Sequence, residues 1–125
     1  PGVVAFLHDV RSRGVRTVLG SASKNAGTIL DRCGLRPLFD AVVDGNEVSR
    51  AKPDPEVFLI AAKKLGLEPV DCVAFEDSIN GIKSAHATGM TTVMVPDLAE
   101  PTDEIKPMID FLCTDLSEAI ERISN

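Results

Sequence analysis

Three short stretches carry side chains that could act on an anionic, phosphate-like ligand. Gly20-Ser21-Ala22-Ser23-Lys24-Asn25 is a run of small and polar residues. Small side chains let backbone N–H groups approach an anion closely, and the Ser21 hydroxyl adds a donor. The same run also reads as a simple capped loop ahead of a helix. Lys52 stands immediately before Pro53-Asp54-Pro55. Proline fixes φ and stiffens the turn, so the ammonium is presented as a point charge suited to a phosphoryl oxygen. The alternative is an ordinary exposed lysine whose loss barely touches folding. Glu76-Asp77-Ser78 follows the apolar Cys72-Val73-Ala74-Phe75. Adjacent carboxylates at a buried strand end repel unless a cation lies between them. Mg²⁺ takes a few hard oxygen ligands and keeps several waters, which suits such a pair. Alternatively, Asp77 only caps the next helix.

Each stretch needs elements that bring it to one place. Residues 2–13 predict a helix, with Val3, Phe6, Leu7 and Val10 at helical spacing and Gly14 behind them. Residues 15–19 predict a buried strand that ends in the first stretch. A helix over 25–33, with Ile29, Leu30 and Cys33 inward, leads to a strand over 39–43. Asp54 as N-cap and Pro55 as first helical residue open a helix to Leu65. Its apolar positions are Val57, Phe58, Ala61, Ala62 and Leu65. A strand over 72–75, a helix over 79–88 and a strand over 92–95 follow. A short strand over 111–113 and a helix from Ser117 to about Ile123 close the chain. Strands alternating with helices predict a parallel sheet in an α/β fold. In open α/β sheets, ligands bind at the carboxyl edge of the strands, where all three stretches fall. There is no internal repeat and no low-complexity stretch.

Composition narrows the functions further. The chain has 125 residues, 44% of them hydrophobic and 26% charged, enough apolar material for one core. A net charge of −6 argues against a nucleic-acid surface, which needs clustered Lys and Arg. No apolar run approaches the ~20 residues of a membrane span, and no signal-peptide pattern opens the sequence. Cys33, Cys72 and Cys113 are far apart and odd in number, which predicts free buried thiols in a reducing, cytoplasmic setting. The start at Pro1-Gly2, directly in a helical pattern, reads as a cut chain.

The motifs together resemble the haloacid dehalogenase (HAD) superfamily. Ser21-Ala22-Ser23, Lys52-Pro53-Asp54-Pro55-Glu56-Val57-Phe58 and Phe75-Glu76-Asp77-Ser78-Ile79-Asn80-Gly81-Ile82 are similar to its motifs II, III and IV. The closest branch is that of β-phosphoglucomutase and related sugar-phosphate phosphatases. The resemblance covers about the first 97 residues, and includes Leu38-Phe39-Asp40 and Ala87-Thr88-Gly89-Met90.

The resemblance implies a three-layer α/β/α, Rossmann-like core, of which residues 1–125 are the C-terminal portion. It implies magnesium-dependent phosphoryl transfer to an aspartate nucleophile, with a small sugar phosphate as substrate and neither nucleic acid nor membrane as partner. Carried over, Ser21 and the Ala22 N–H hold phosphoryl oxygens, Lys52 neutralises developing charge, and Glu76 and Asp77 bind Mg²⁺. Ser23, Lys24 and Asn25 match the segment that grips a second phosphate in the mutase branch. Phosphatase is favoured over phosphomutase, and a non-catalytic domain that binds phosphate or a partner is the rival of another class.

The departures are equally definite. No Asp-x-Asp followed by Gly-Thr or Gly-Val exists in the chain, and Asp40 and Asp44-Gly45 have the wrong spacing. The family's nucleophile strand and helical cap are missing, so the fragment alone is expected to be inactive. That strand belongs between those starting near Val15 and Cys72. Three outcomes are therefore expected: closure of the half-sheets, self-association through exposed edges, or a preceding segment in the gap.

Overall fold

The computed structural model describes residues 3–21, 24–95, 100–116 and 118–119. The element order is α1 (Val3–Ser12), β1 (Val18–Gly20), α2 (Ala26–Cys33), β2 (Ala41–Val43), α3 (Glu56–Leu65), β3 (Val73–Glu76), α4 (Ile79–Thr88), β4 (Thr91–Met94) and β5 (Phe111–Leu112). Short 3₁₀ turns at Arg36–Leu38, Pro69–Asp71 and Lys106–Met108 each precede a strand. The α/β fold and the parallel pairing agree with the sequence. The expected last helix from Ser117 falls mostly outside the described residues.

The strands form two separate parallel sheets. In one, β1 pairs with β2, Val18 opposite Ala41 and Gly20 opposite Val43. In the other, the order is β3-β4-β5, with Val73 opposite Thr91 and Val93 opposite Phe111. Among the described residues, the second edges of β1 and β3 have no strand neighbour. The half-sheets have not closed on each other. Instead a cleft of about 720 Å³ lies between them, lined by Leu19 and Gly20 of β1, Val73 and Phe75 of β3, and Phe6 and Ala62 from helices.

Side-chain alternation along β3 fixes the layers. Phe75 packs with Phe6, Leu7 and Val10 of α1, its ring edge-on to that of Phe6 with centroids 4.8 Å apart. Ala74, pointing the other way, packs with Ala62 of α3, Ala85 of α4 and Met90. Thus α1 lies on one face, α3 and α4 on the other. Helix α3 also spans the gap, because its Val57 and Ala61 pack on Val43 and Val18 of the first sheet. No described helix is long and apolar enough to cross a membrane.

Several local expectations are corrected. In α2 the buried residues are Ala26 and Leu30, whereas Ile29 is 52% exposed and Cys33 is exposed. The helix is at the margin of the fold, so one narrow stripe suffices. Cys72 is half-buried and Cys113 buried, so the three thiols are free but not all hidden. Strand β1 starts three residues later than expected; Val15 is half-exposed, and no β1 residue is buried, because one edge faces the cleft. Strand β2 likewise starts at Ala41, after the 3₁₀ turn and an extended Phe39. Helix α3 is capped at Pro55 and starts at Glu56; Asp54 Oδ1 accepts a hydrogen bond from the Glu56 N–H at 3.0 Å.

Candidate active site

Gly20 at the end of β1 and Glu76 at the end of β3 both line the cleft, and Lys52, on the loop between β2 and α3, reaches Glu76. Ser21 follows Gly20 of β1, and its N–H donates to the Val43 carbonyl at 2.9 Å, extending the ladder to β2. Gly20 fits closely under α3, since a Cβ there would meet Val57 at 3.1 Å. Ala22 and Ser23 lie outside the described residues. Lys24 and Asn25 are exposed at the start of α2. Asn25 is the N-cap residue but makes no side-chain cap bond, so the capped-loop alternative lacks its defining contact. The Lys24 carbonyl accepts from Asn46 Nδ2 at 3.4 Å, which ties this loop to the one after β2.

Lys52 is not a free surface lysine. Its side chain is 26% exposed, and its ammonium donates to Glu76 Oε2 at 2.6 Å. The same nitrogen lies 5.2 Å from the centre of the Phe58 ring. The loop that carries Lys52 is closed by its own contacts. The Glu56 carboxylate, in the first turn of α3, accepts from the N–H and hydroxyl of Ser49. The Asp54 N–H donates to the Ala51 carbonyl at 3.0 Å. The bonds from Ser49, chiefly from its N–H, hold the Glu56 carboxyl below its usual range. The Lys52-Pro53 peptide is cis. The sequence predicts that loss of Lys52 barely changes folding, as for an exposed-loop lysine; its pairing with the nearly buried Glu76 (side chain 9% exposed) argues for a larger cost.

Glu76 ends β3 and shares the face of Ala74, toward α4. Its backbone carbonyl accepts from Val95 N–H at 2.9 Å. Asp77 is exposed. The N-cap of α4 is Ser78, whose hydroxyl accepts from the Gly81 N–H at 3.0 Å. Asp77 is therefore left clear of the capping role that the sequence allowed it. The cation beside Glu76 in this structure is Lys52, and of the two carboxylates at this strand end Glu76 is nearly buried whereas Asp77 is exposed. Among the described residues, no group of three His, Cys, Asp or Glu could hold a metal ion. The arrangement can therefore offer a metal at most two carboxylates, with the remaining ligands coming from elsewhere.

Comparison with known proteins now decides the family. Residues 1–89 match the haloacid dehalogenase-like hydrolases. The chain belongs to that family. It is 44% identical over 93 residues to a fructose-1-phosphate phosphatase of Escherichia coli, covering 74% of this chain and 48% of that protein. It is 38% identical over 95 residues to the β-phosphoglucomutase of Bacillus subtilis, covering 76% of this chain and 42% of the relative. A crystal structure of β-phosphoglucomutase from Clostridium difficile superimposes with a TM-score of 0.86 at 31% identity, over 99% of this chain and 54% of that one. The chain thus spans about half the length of the relatives it matches. The two curated relatives named above are a phosphatase and a phosphomutase.

One participant escaped sequence reasoning. A Cβ on Gly81 would overlap the Glu76 carboxylate. The signal was present in the sequence as a glycine near the start of a helix, where glycine is a poor residue without a special reason.

Proposed function

We propose that this chain supplies the phosphate-holding and metal-holding edge of a magnesium-dependent sugar-phosphate phosphatase. The observation that carries the reading is the Lys52–Glu76 pair, with Gly20 and Glu76 both at the mouth of the inter-sheet cleft. The phosphatase and mutase relatives supply the substrate class.

In this reading, a strand parallel to β1 and β3 occupies the cleft and brings the nucleophilic aspartate to its carboxyl end. A carboxylate oxygen attacks phosphorus as the sugar–oxygen bond to phosphorus breaks, and the departing oxygen takes a proton. Water then cleaves the aspartyl-phosphate, restoring the carboxylate and releasing inorganic phosphate. Ser21 and the Ala22 N–H hold equatorial oxygens while Lys52 offsets the charge that builds on them. Glu76 and Asp77 suit Mg²⁺ as hard oxygen donors, Glu76 through the oxygen that Lys52 leaves free. When bound, the ion would supply positive charge that offsets the negative charge of the phosphoryl group.

Phosphomutase chemistry is the second reading. Lys24 and Asn25 stand exposed beside Ser21 and could hold a second phosphate. A non-catalytic binding domain is the rival of another class, and a cytoplasmic setting suits three free thiols. The test is the full-length protein, assayed with Mg²⁺ against hexose phosphates and other small phosphate monoesters. Release of inorganic phosphate supports the phosphatase. Isomerisation that needs a sugar bisphosphate replaces it with the mutase. Absence of both, in protein that binds phosphate, leaves the non-catalytic reading.

A further inference from the structure

We propose that Gly81 is a positioning residue for the site: the space it leaves empty is where Glu76 must lie to hold Lys52. The inference rests on the reading of Lys52 given above. Gly81 is the third residue of α4 and is buried. Its φ is not positive, so the backbone there accepts any L-residue. Helices favour alanine over glycine, because glycine gives up more chain entropy and adds no packing. Neither conformation nor propensity explains a glycine at this position.

Packing does explain it. A Cβ built on Gly81 would fall inside van der Waals contact with the carboxylate carbon and both oxygens of Glu76. The three nearest atoms to that position all belong to this carboxylate, so it is the first group a side chain at 81 would meet. Glu76 Oε2 is at the same time 2.6 Å from the Lys52 ammonium. A methyl group at 81 pushes the flexible end of Glu76 aside, and the displaced carboxylate releases Lys52. The effect travels from residue 81 through Glu76 to the charge that faces the substrate; Gly81 itself touches none of the reacting atoms.

The experiment is a cycle of Gly81→Ala and Glu76→Ala in the full-length protein, read first by thermal unfolding without metal or substrate. With Glu76 present, Gly81→Ala should lower Tm. With Glu76→Ala, the same substitution should raise Tm by a few degrees, since only the helix preference remains. The same Tm shift in both backgrounds overturns the proposal. The second reading is kinetic. Gly81→Ala should lower kcat about tenfold, and in the Glu76→Ala background it should lower it no further. A wild-type kcat in Gly81→Ala also overturns it. If Lys52→Ala itself leaves kcat unchanged, the functional reading fails. The Tm cycle still decides whether Gly81 positions Glu76.

Discussion

In β4, Thr92, Val93 and Met94 are fully buried, whereas no residue of β1 is buried, although both strands receive an edge strand by the same device. Arg36-Pro37-Leu38-Phe39-Asp40 and Lys106-Pro107-Met108-Ile109-Asp110 repeat one pattern: base, proline, two apolar residues, aspartate. Each forms a 3₁₀ turn. In the first, Asp40 N–H donates to the Thr17 carbonyl at 2.7 Å and Asp40 Oδ2 accepts from Thr17 N–H at 2.7 Å. In the second, Asp110 N–H donates to the Thr92 carbonyl at 2.8 Å and Asp110 Oδ2 accepts from Thr92 N–H at 2.7 Å. The device fixes the register of β2 on β1 and of β5 on β4. Burial is a separate matter. Among the described residues, strand β4 has neighbours on both sides and β1 on one. Local hydrogen bonds specify pairing, but the hydrophobic contribution comes from layers and neighbours that β1 lacks at the cleft.

The largest expected effect comes from the cleft. The 125-residue chain alone should show no magnesium-dependent turnover of p-nitrophenyl phosphate or a sugar phosphate, because none of Ser21, Lys52, Glu76 and Asp77 has the role of attacking group. Amides of β1 should exchange faster than those of β4 in this chain, and the gap should narrow in the full-length protein. Turnover by the bare chain that Asp77→Ala abolishes would break the comparison, since the β1 half would then need no added neighbour. Unpaired edges also predict self-association of the bare chain, visible by light scattering.

Next in size is Lys52→Ala. Lys52 precedes α3, which packs on β1 and β2 through Val57 and Ala61, yet its ammonium reaches Glu76 at the end of β3. It is a polar tie between the two halves. In the full-length enzyme its loss should lower kcat by about 10²-fold, the scale of one electrostatic contact to developing charge. Stability should also fall by about 1–3 kcal/mol, because a nearly buried carboxylate is left without its partner. Unchanged kinetics with lowered stability would leave Lys52 a structural tie only.

Much of this was legible in the chain. The span of helix α4 was read correctly, since Gly89 after it is a strong end signal, although the residue that caps it is Ser78 and not Asp77. The three motifs were read because their chemistry is local in sequence and each follows a strand. What could not be read was set by neighbours. Ile29 and Cys33 look inward by spacing, but no element covers that side of α2. Val15 looks like strand, but its N–H donates to the Val10 carbonyl of α1, and the paired register with β2 begins only at Val18. The match of the two aspartate turns was visible only as a five-residue pattern, too short to register as a repeat. The Lys52–Glu76 pair joins residues 24 apart in sequence, and no local rule links them.

The two aspartate turns can be compared directly. Asp110→Ala strands the N–H of Thr92, which is fully buried, and should cost about 1–3 kcal/mol. Asp40→Ala strands the N–H of Thr17, which is 9% exposed, while water can reach Arg11. It should cost about 1 kcal/mol, at the low end of that range. Asparagine keeps an acceptor oxygen at either position and should be milder than alanine. Urea unfolding of the four variants measures this. An equal or reversed order would mean that burial of β4 does not set the cost of its hydrogen bonds.

The smallest effect is the dependence of the first half on pH. The Thr17 N–H is the main cause holding the Asp40 carboxyl below its ordinary value; partial burial opposes it, and the Arg11 guanidinium, 3.0 Å from Oδ2, adds to the lowering. A carboxylate with a lower pKa folded than unfolded stabilises the fold above its unfolded value, about 3.9. That contribution is lost as pH falls below this value and through the lower folded one. Stability between pH ~5 and ~3 should therefore fall less steeply in Asp40→Asn than in the wild type. The Asp40 side chain is 37% exposed, so screening by solvent keeps the difference to a few tenths of a kcal/mol. The part due to Arg11 should shrink further in molar salt, while the part due to the Thr17 N–H persists, because a short hydrogen bond is little screened. Parallel unfolding curves for wild type and Asp40→Asn across this range would show that the bond to Thr17 does not discriminate between the two protonation states. The two aspartate turns would then differ only in the burial of the strands they join.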